Sequence, residues 1–304
     1  MTQQSSYHSP VLLEESIDGL AINPSGVYVD VTYGGGGHSR EILSRLGEDG
    51  KLFAFDQDLD ALENVIEDPR FTLINQNFRF MKRFLRMYGV KEVDGILADL
   101  GVSSHQFDEA DRGFSTRFDA RLDMRMNQES ELDAVRVVND YEEDDLNRIF
   151  KEYGELRIAP RLTRAIIAKR QEGLIETVAQ LKEICAPFVP ERIQHKMLAQ
   201  VFQAIRIEVN QEMDVLEEFL IQSKEILKTG GRLSVISYHS LEDRPVKRFM
   251  RNGLFHGEPE KDVFGRASVP FKKVGKLIIP TAAQIKENNR ARSAKLRIAQ
   301  RIED

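Results

Sequence analysis

The chain of 304 residues contains one cysteine, Cys185, so it can hold neither a disulfide framework nor a cysteine-rich metal site. We therefore expect a reducing compartment. No apolar run approaches the roughly 18 residues that a membrane span needs. The N-terminus lacks the basic and apolar regions of a secretory signal, and no spacing of His, Asp and Glu suggests a metal site. These absences predict a cytoplasmic protein without a bound metal or a membrane contact.

The net charge of −6 hides an asymmetry along the chain. Residues 228–304 carry 17 Lys and Arg against 8 Asp and Glu, whereas residues 1–227 carry 26 against 41. A basic end on an acidic body indicates either a polyanionic partner or a solvated basic surface. Charge alone does not separate these two interpretations.

Short apolar segments alternate with helical periodicity in the first hundred residues, which is typical of a mostly parallel, doubly wound sheet. One helix is predicted from Ser9 to Leu20, with Pro10 at its first position, and another through Leu59, Leu62 and Ile66. The seven candidate strands lie at 27–31, 51–55, 71–74, 95–100, 232–237, 277–279 and 293–298.

Between the fourth and fifth strands the pattern changes. An aperiodic loop at 101–126 is followed by almost unbroken helical periodicity, which predicts an all-helical insertion. The predicted fold class is α/β, a Rossmann-like seven-stranded sheet with an inserted helical domain. We place the core at residues 1–110 and 210–304 and the insertion at 111–209.

Four consecutive glycines, Gly34 to Gly37, separate the first strand from a helical segment that starts at Ser39. A strand, a glycine loop and a helix start bring bare backbone N–H groups up to a ligand. Asp56 ends the second strand, 20 residues after Gly36, where a carboxylate can accept hydrogen bonds from ribose hydroxyls. These features predict an adenosine-containing cofactor and leave NAD and S-adenosyl-L-methionine open.

Asp30, at the end of the first strand, favours S-adenosyl-L-methionine. A carboxylate suits a cationic ligand that bears an amino group, and it does nothing for a pyrophosphate. Seven strands with the last two close together also suit a methyltransferase sheet. A glycine-rich turn that binds nothing is the alternative.

Asp99 ends the fourth strand, and ligands of open α/β sheets lie at the carboxyl ends of strands. Enzymes that methylate amines commonly place an Asp/Asn-Pro-Pro-aromatic turn there, but the prolines are missing here. We interpret Asp99 as the group that orients a substrate amine or takes its proton. A purely cofactor-binding or loop-fixing carboxylate is the alternative.

The loop after the fourth strand interleaves arginines with Phe114 and Phe118, a pattern that suits phosphate pairing and base stacking with RNA. We favour RNA contact over pairing with neighbouring aspartates. His239 could contact the target base or serve as a structural loop residue, and Cys185 is expected in the core. The arginines are Arg112, Arg117, Arg121 and Arg125, and the aspartates are Asp108, Asp111, Asp119 and Asp123.

Several longer motifs extend this pattern over nearly the whole chain. They are Tyr7-His-Ser-Pro-Val-Leu-Leu-Glu-Glu, Thr32-Tyr-Gly-Gly-Gly-Gly-His-Ser, Asp94-Gly-Ile-Leu-Ala-Asp-Leu-Gly-Val-Ser-Ser, Arg112-Gly-Phe-Ser, Leu122-Asp-Met-Arg-Met, Val201-Phe-Gln-Ala-Ile-Arg-Ile-Glu-Val-Asn, Ser237-Tyr-His-Ser-Leu-Glu-Asp-Arg and Arg290-Ala-Arg-Ser. Together they closely resemble the MraW-like family of bacterial methyltransferases that modify N4 of a cytidine in small-subunit ribosomal RNA.

The resemblance implies a Rossmann-like methyltransferase core, S-adenosyl-L-methionine as cofactor, and a cytidine in the decoding region of 16S ribosomal RNA as substrate. It leaves a homodimer open. Departures from the family pattern at Val31, Ala120-Arg121, Asn289 and His105 leave the implied contacts unchanged. A DNA cytosine N4-methyltransferase and a non-catalytic RNA-binding module are the alternatives. The implied cofactor contacts are Gly36, Gly37, His38, Asp56, Phe78, Asp99 and Gln106.

Overall fold

The computed structural model describes residues 10–261, 263–265 and 267–303. The chain divides into two compact units, one formed by Met1–Gly101 with Met213–Asp304 and one formed by Val102–Glu212. The insertion expected at 111–209 lies wholly within the second unit. No helix in the described part of the chain is both long and apolar enough to cross a membrane.

The first unit opens with helices and strands in alternation. Their bounds are α1 (Leu13–Leu20), β1 (Val27–Asp30), α2 (Gly37–Arg45), β2 (Lys51–Phe55), β3 (Phe71–Ile74), α3 (Met81–Met87) and β4 (Val93–Asp99). Short 3-10 helices at Leu59–Asn64 and Phe78–Phe80 follow β2 and β3. The strands are short and almost entirely buried, as expected for a sheet that is covered on both faces.

The second unit is helical and has its own core. Its helices are α4 (Ser104–Asp108), α5 (Ala134–Asp140), α6 (Glu143–Glu152), α7 (Ala159–Arg170), α8 (Val178–Cys185) and α9 (Glu191–Asn210). Leu146, Phe150, Leu162 and Val201 are fully buried in that core. Cys185 lies among them, and burial raises the pKa of its thiol to about 12, so its assignment to the core is confirmed.

The chain then returns to the first unit and completes the sheet. The remaining elements are α10 (Glu212–Ile226), β5 (Leu227–Ser237), α11 (Ser240–Asn252), β6 (Phe271–Ile278), α12 (Ala282–Glu287) and β7 (Lys295–Arg301). The strand order is β3-β2-β1-β4-β5-β7-β6, with β7 antiparallel to both of its neighbours and the other pairs parallel. The predicted seven-stranded, Rossmann-like sheet is confirmed.

The strand order creates a switch point between β1 and β4. From β1 the chain moves outward to β2 and β3, and it then crosses back to place β4 on the other side of β1. The loops that leave β1 and β4 therefore diverge, and they open a crevice at the carboxyl ends of these strands.

Two helix predictions are wrong in detail. The segment through Leu59, Leu62 and Ile66 forms only a 3-10 helix, because Leu59 and Leu62 are about two-fifths exposed and have no core to pack against. The first helix begins at Leu13, because Leu12 is left-handed (φ 51°) and interrupts the helical backbone. Ser9, its predicted cap, lies outside the described residues.

We predict that Phe150→Ala destabilises the second unit by about 3–5 kcal/mol, because it removes a fully buried ring from that unit's own core. Hydrogen exchange should then accelerate mainly at amides of the second unit. The control, Phe219→Ala, removes a fully buried ring of the first unit and should accelerate exchange there instead. Equal acceleration in both units by either variant would contradict two separate cores.

Candidate active site

The glycine loop after β1 leaves no room for side chains at two positions. Gly36 has φ +75°, and a Cβ on it would lie 2.7 Å from the Tyr33 hydroxyl oxygen. A Cβ on Gly37, the first residue of α2, would overlap the Pro10 ring. The first N–H groups of a helix have no partner within the helix. The loop therefore brings glycine backbone and the start of α2 to the switch point. The N–H groups of the loop are only partly bare, because Gly34 donates to Asp56 and Gly36 donates to the Tyr33 carbonyl oxygen at 2.7 Å.

Asp30 holds this loop in shape. Its Oδ1 accepts the Thr32 N–H at 3.1 Å, and its Oδ2 accepts the Ser39 hydroxyl at 2.7 Å. The side chain is fully buried, and this desolvation raises the pKa of its carboxyl to about 6. Asp30 therefore joins the end of β1 to α2.

Asp56 lies beside the same loop at the end of β2. Its Oδ2 accepts the Gly34 N–H at 2.8 Å, and its Oδ1 accepts the Asp58 N–H at 2.9 Å. Burial raises the pKa of this carboxyl to about 6. Each carboxylate oxygen has a second lone pair, so Asp56 can still accept hydrogen bonds from a diol.

Phe78 starts the turn that follows β3. Its half-buried ring packs edge-on against Phe219, with 5.4 Å between centroids. The Asn77 side-chain amide donates to Gln57 Oε1 at 2.9 Å, which links this turn to the segment that follows Asp56. The turn therefore places an aromatic ring near the carboxyl end of β2.

Asp99 is the centre of a second hydrogen-bonded group. Its N–H donates to Thr32 Oγ1 at 2.7 Å, and its Oδ1 accepts the Tyr238 hydroxyl at 2.7 Å. Burial raises the pKa of the Asp99 carboxyl to about 6. No role was predicted for Tyr238, although its position directly after β5, the neighbour of β4, is a signal that points to Asp99.

The His38 ring lies between Asp99 and the chain before α1. Its Nε2 is 3.3 Å from the Val11 carbonyl oxygen, and its Nδ1 is 4.0 Å from Asp99 Oδ2. A carbonyl only accepts, so Nε2 carries the hydrogen, an assignment made from the hydrogen-bond network. Burial lowers the pKa of the imidazole, which keeps it neutral at neutral pH.

His239 has a structural role in this structure. Its Nε2 is 3.0 Å from Glu242 Oε1, and the two residues form a capping box at the start of α11. Gln106 belongs to the second unit, where its side-chain oxygen accepts the Ser103 N–H at 3.1 Å. The other residues predicted to contact the cofactor lie at the carboxyl edge of the sheet. A cofactor contact stays a prediction for all of them and for Gln106.

The arginine-rich loop of the second unit is paired internally. The Arg112 guanidinium donates to main-chain carbonyls of the same loop. The acidic pairing that we set against RNA contact is present for Arg117, Arg121 and Arg125, so carboxylates compensate much of the charge of these three. The ion pairs are Arg117 with Asp108 at 2.7 Å, Arg121 with Asp133 at 2.7 Å and Asp123 at 3.4 Å, and Arg125 with Asp123 at 2.6 Å.

The carboxyls of Asp30, Asp56 and Asp99 therefore stand at the ends of three adjacent strands, the first fully buried and the other two partly buried. Besides burial, the charge of Asp30 raises the pKa of both Asp56 and Asp99. A cationic ligand would relieve this repulsion, whereas a pyrophosphate would add to it. The electrostatics of this edge suit a positively charged ligand.

Comparison with known proteins identifies relatives over almost the full length. Residues 5–302 match the model of the MraW methylase family. A Flavobacterium johnsoniae protein named Ribosomal RNA small subunit methyltransferase H is 67% identical over 302 residues, 99% of this chain and 100% of that protein. A Bacteroides thetaiotaomicron protein of the same name is 54% identical over 297 residues, 97% of this chain and 98% of that protein.

We predict that Tyr238→Phe raises the pKa of Asp99 above its value of about 6, because the lost hydrogen bond favours the ionised carboxylate. Carbon-detected NMR titration of the aspartate carboxyls would measure this shift. The control is Tyr141→Phe, which removes a 2.9 Å tyrosine–carboxylate hydrogen bond to Glu208 in the second unit. An Asp99 pKa that stays constant or falls in Tyr238→Phe would contradict the assignment.

Proposed function

Because this chain belongs to the MraW methylase family, we propose that it transfers a methyl group from S-adenosyl-L-methionine to N4 of a cytidine in 16S ribosomal RNA. The shared name of the relatives supports the RNA substrate and a place of action in the cytoplasm. The observation that carries the proposed chemistry is the partly buried Asp99 carboxylate, which Tyr238 holds by one oxygen at the switch point.

The residues at this edge fit S-adenosyl-L-methionine. Gly36 and Gly37 let a ligand approach the backbone at the start of α2 closely, and Asp56 has lone pairs for the ribose hydroxyls. The ring of Phe78 offers a surface for the adenine. The carboxylates of Asp30 and Asp99 match a sulfonium and an amino group, and they disfavour the pyrophosphate of NAD. Gln106 completes the proposed contacts.

When bound, the cofactor supplies an electrophilic methyl group. The N4 amine of cytosine is a weak nucleophile, because its lone pair is delocalised into the ring. Tyr238 takes one lone pair of Asp99 Oδ1, so Oδ2 is the less engaged oxygen, and it would accept a hydrogen bond from the amine and thereby orient it. Asp99 would hold the amine in place for the methyl group that the cofactor supplies, and its Oδ2 would accept the proton that the amine loses. Positioning supplies much of the rate.

The direct test is tritiated methyl transfer to RNA, small ribosomal subunits and DNA in parallel, followed by nucleoside analysis. Label should appear as N4-methylcytidine in RNA. Label on cytosine C5, or on DNA alone, would refute the proposal and favour another substrate. No label and no calorimetric binding of S-adenosyl-L-methionine would favour the non-catalytic RNA-binding alternative.

Asp56→Ala should weaken the binding of S-adenosyl-L-methionine at least about 10-fold, because hydrogen bonds to a charged group contribute roughly 1.5–3 kcal/mol. Isothermal calorimetry would measure the affinity. The matched control is Asp68→Ala, since Asp68 is bound to Arg70 at the beginning of β3. If Asp56→Ala and Asp68→Ala change the affinity equally, a specific cofactor contact at Asp56 is excluded.

The pH dependence of kcat should report Asp99. Its carboxyl pKa of about 6 means that the ionised form is lost as the pH falls through that value, so kcat should fall with it. Asp99→Asn should lower kcat by roughly 10²–10⁴-fold and remove this acidic limb. The circular dichroism spectrum and melting temperature of Asp99→Asn serve as the control for folding. An unchanged acidic limb in Asp99→Asn would assign the titration to another group.

A further inference from the structure

Helix α11 carries a row of basic residues on one side. Lys247 and Arg248 are adjacent, and each lies three or four positions from both Arg244 and Arg251, so the four fall on neighbouring turns of one side of the helix. Arg244, Lys247 and Arg251 are exposed, and Arg248 is half-buried and donates to the Gly257 carbonyl oxygen at 2.7 Å. We call these four residues the α11 stripe.

The acidic residues of α11 do not compensate this charge. Glu242 is buried and accepts the Tyr238 N–H at 2.7 Å, and Asp243 is buried and binds Arg297 at 2.7 Å. In the described part of the chain no ion pair involves Lys247 or Arg251. The stripe therefore leaves positive charge in solvent on a chain whose net charge is −6.

The neighbouring edge strand extends this basic surface. The α11 helix packs on β6 through Phe249 and Phe271, whose ring centroids are 6.0 Å apart. The lysines of β6 at positions 272, 273 and 276 are all exposed. The local excess of positive charge in residues 228–304 is thus displayed on a folded surface and does not reside only in a tail.

The stripe is connected to the candidate active site by chain continuity. Tyr238, which binds Asp99, and His239, which caps α11, directly precede the helix. From Arg244 to Arg251 the stripe spans roughly 10 Å along the helix axis. A strand of nucleic acid that binds along α11 therefore approaches the edge where Asp99 lies.

We propose that the α11 stripe binds backbone phosphates of the RNA that carries the target base. This inference rests on the proposed function. It places the phosphate contact on helix α11, whereas the sequence pattern predicted it on the loop that contains Arg112 and Arg125. Phosphate contacts position a nucleic acid and carry no sequence information. The stripe therefore sets RNA affinity and leaves cofactor binding and the chemical step unchanged.

The test is the double variant Lys247→Gln/Arg251→Gln, with RNA binding measured by fluorescence anisotropy from 50 to 200 mM salt. The slope of log K against log salt should become shallower by about 1.4, since each contact to a single strand contributes about 0.7. The KM for RNA should rise, while kcat and the calorimetric affinity for S-adenosyl-L-methionine stay at the wild-type values.

The matched control is Lys51→Gln/Lys91→Gln, which removes the same charge from two exposed lysines at the beginnings of β2 and β4, the opposite edge of the sheet. It should keep the wild-type salt slope. An equal change in both double variants, or none in the stripe variant, would overturn the proposal. If the wild-type protein methylates no RNA, the proposed function fails. The salt dependence of RNA binding tests the α11 stripe independently of methylation.

Discussion

Thr32 joins the ends of the two central strands, and the geometry of the candidate site depends on this connection. Its hydroxyl oxygen accepts the Asp99 N–H, while its own N–H donates to Asp30. Pairing between β1 and β4 ends at Asp30 and Leu97. Past that point the strands diverge, and the two bonds of Thr32 give partners to backbone groups that would otherwise have none. The direction of the Asp99 side chain and the course of the glycine loop both follow from this arrangement.

The same edge shows that ligand binding and stability make opposed demands on this fold. Burying the carboxyls of Asp30, Asp56 and Asp99 disfavours their charged forms, as the raised pKa of each shows. Such a cluster contributes less to folding than apolar packing would. Functional sites are where proteins accept local costs of this kind.

Much of the sheet and part of the site were predictable because they are encoded locally. Strand periodicity located β1 to β4, and the spacing from Gly36 to Asp56 reflects one repeat of strand, helix and strand. The Tyr238–Asp99 hydrogen bond was not predictable, since its partners are 139 residues apart and meet only because β5 pairs with β4.

Surface pairing was also beyond sequence reasoning. The spacing of the arginines in the second unit is compatible with either RNA or carboxylate partners, and only the loop backbone decides which groups meet. For α11 the opposite holds. Its sequence mixes acidic and basic residues, and only burial shows that Glu242 and Asp243 are turned inward.

The order of the strands has a consequence for how the chain assembles. Strands β4 and β5 are neighbours, yet the whole helical unit is synthesised between them, so their pairing must wait for those residues. Contacts of such long sequence separation slow folding. Strand β6 pairs only with β7, and β7 is the last strand of the chain. The sheet therefore stays incomplete until β7 has docked. Assembly of the second unit, whose core is its own, carries no such dependence.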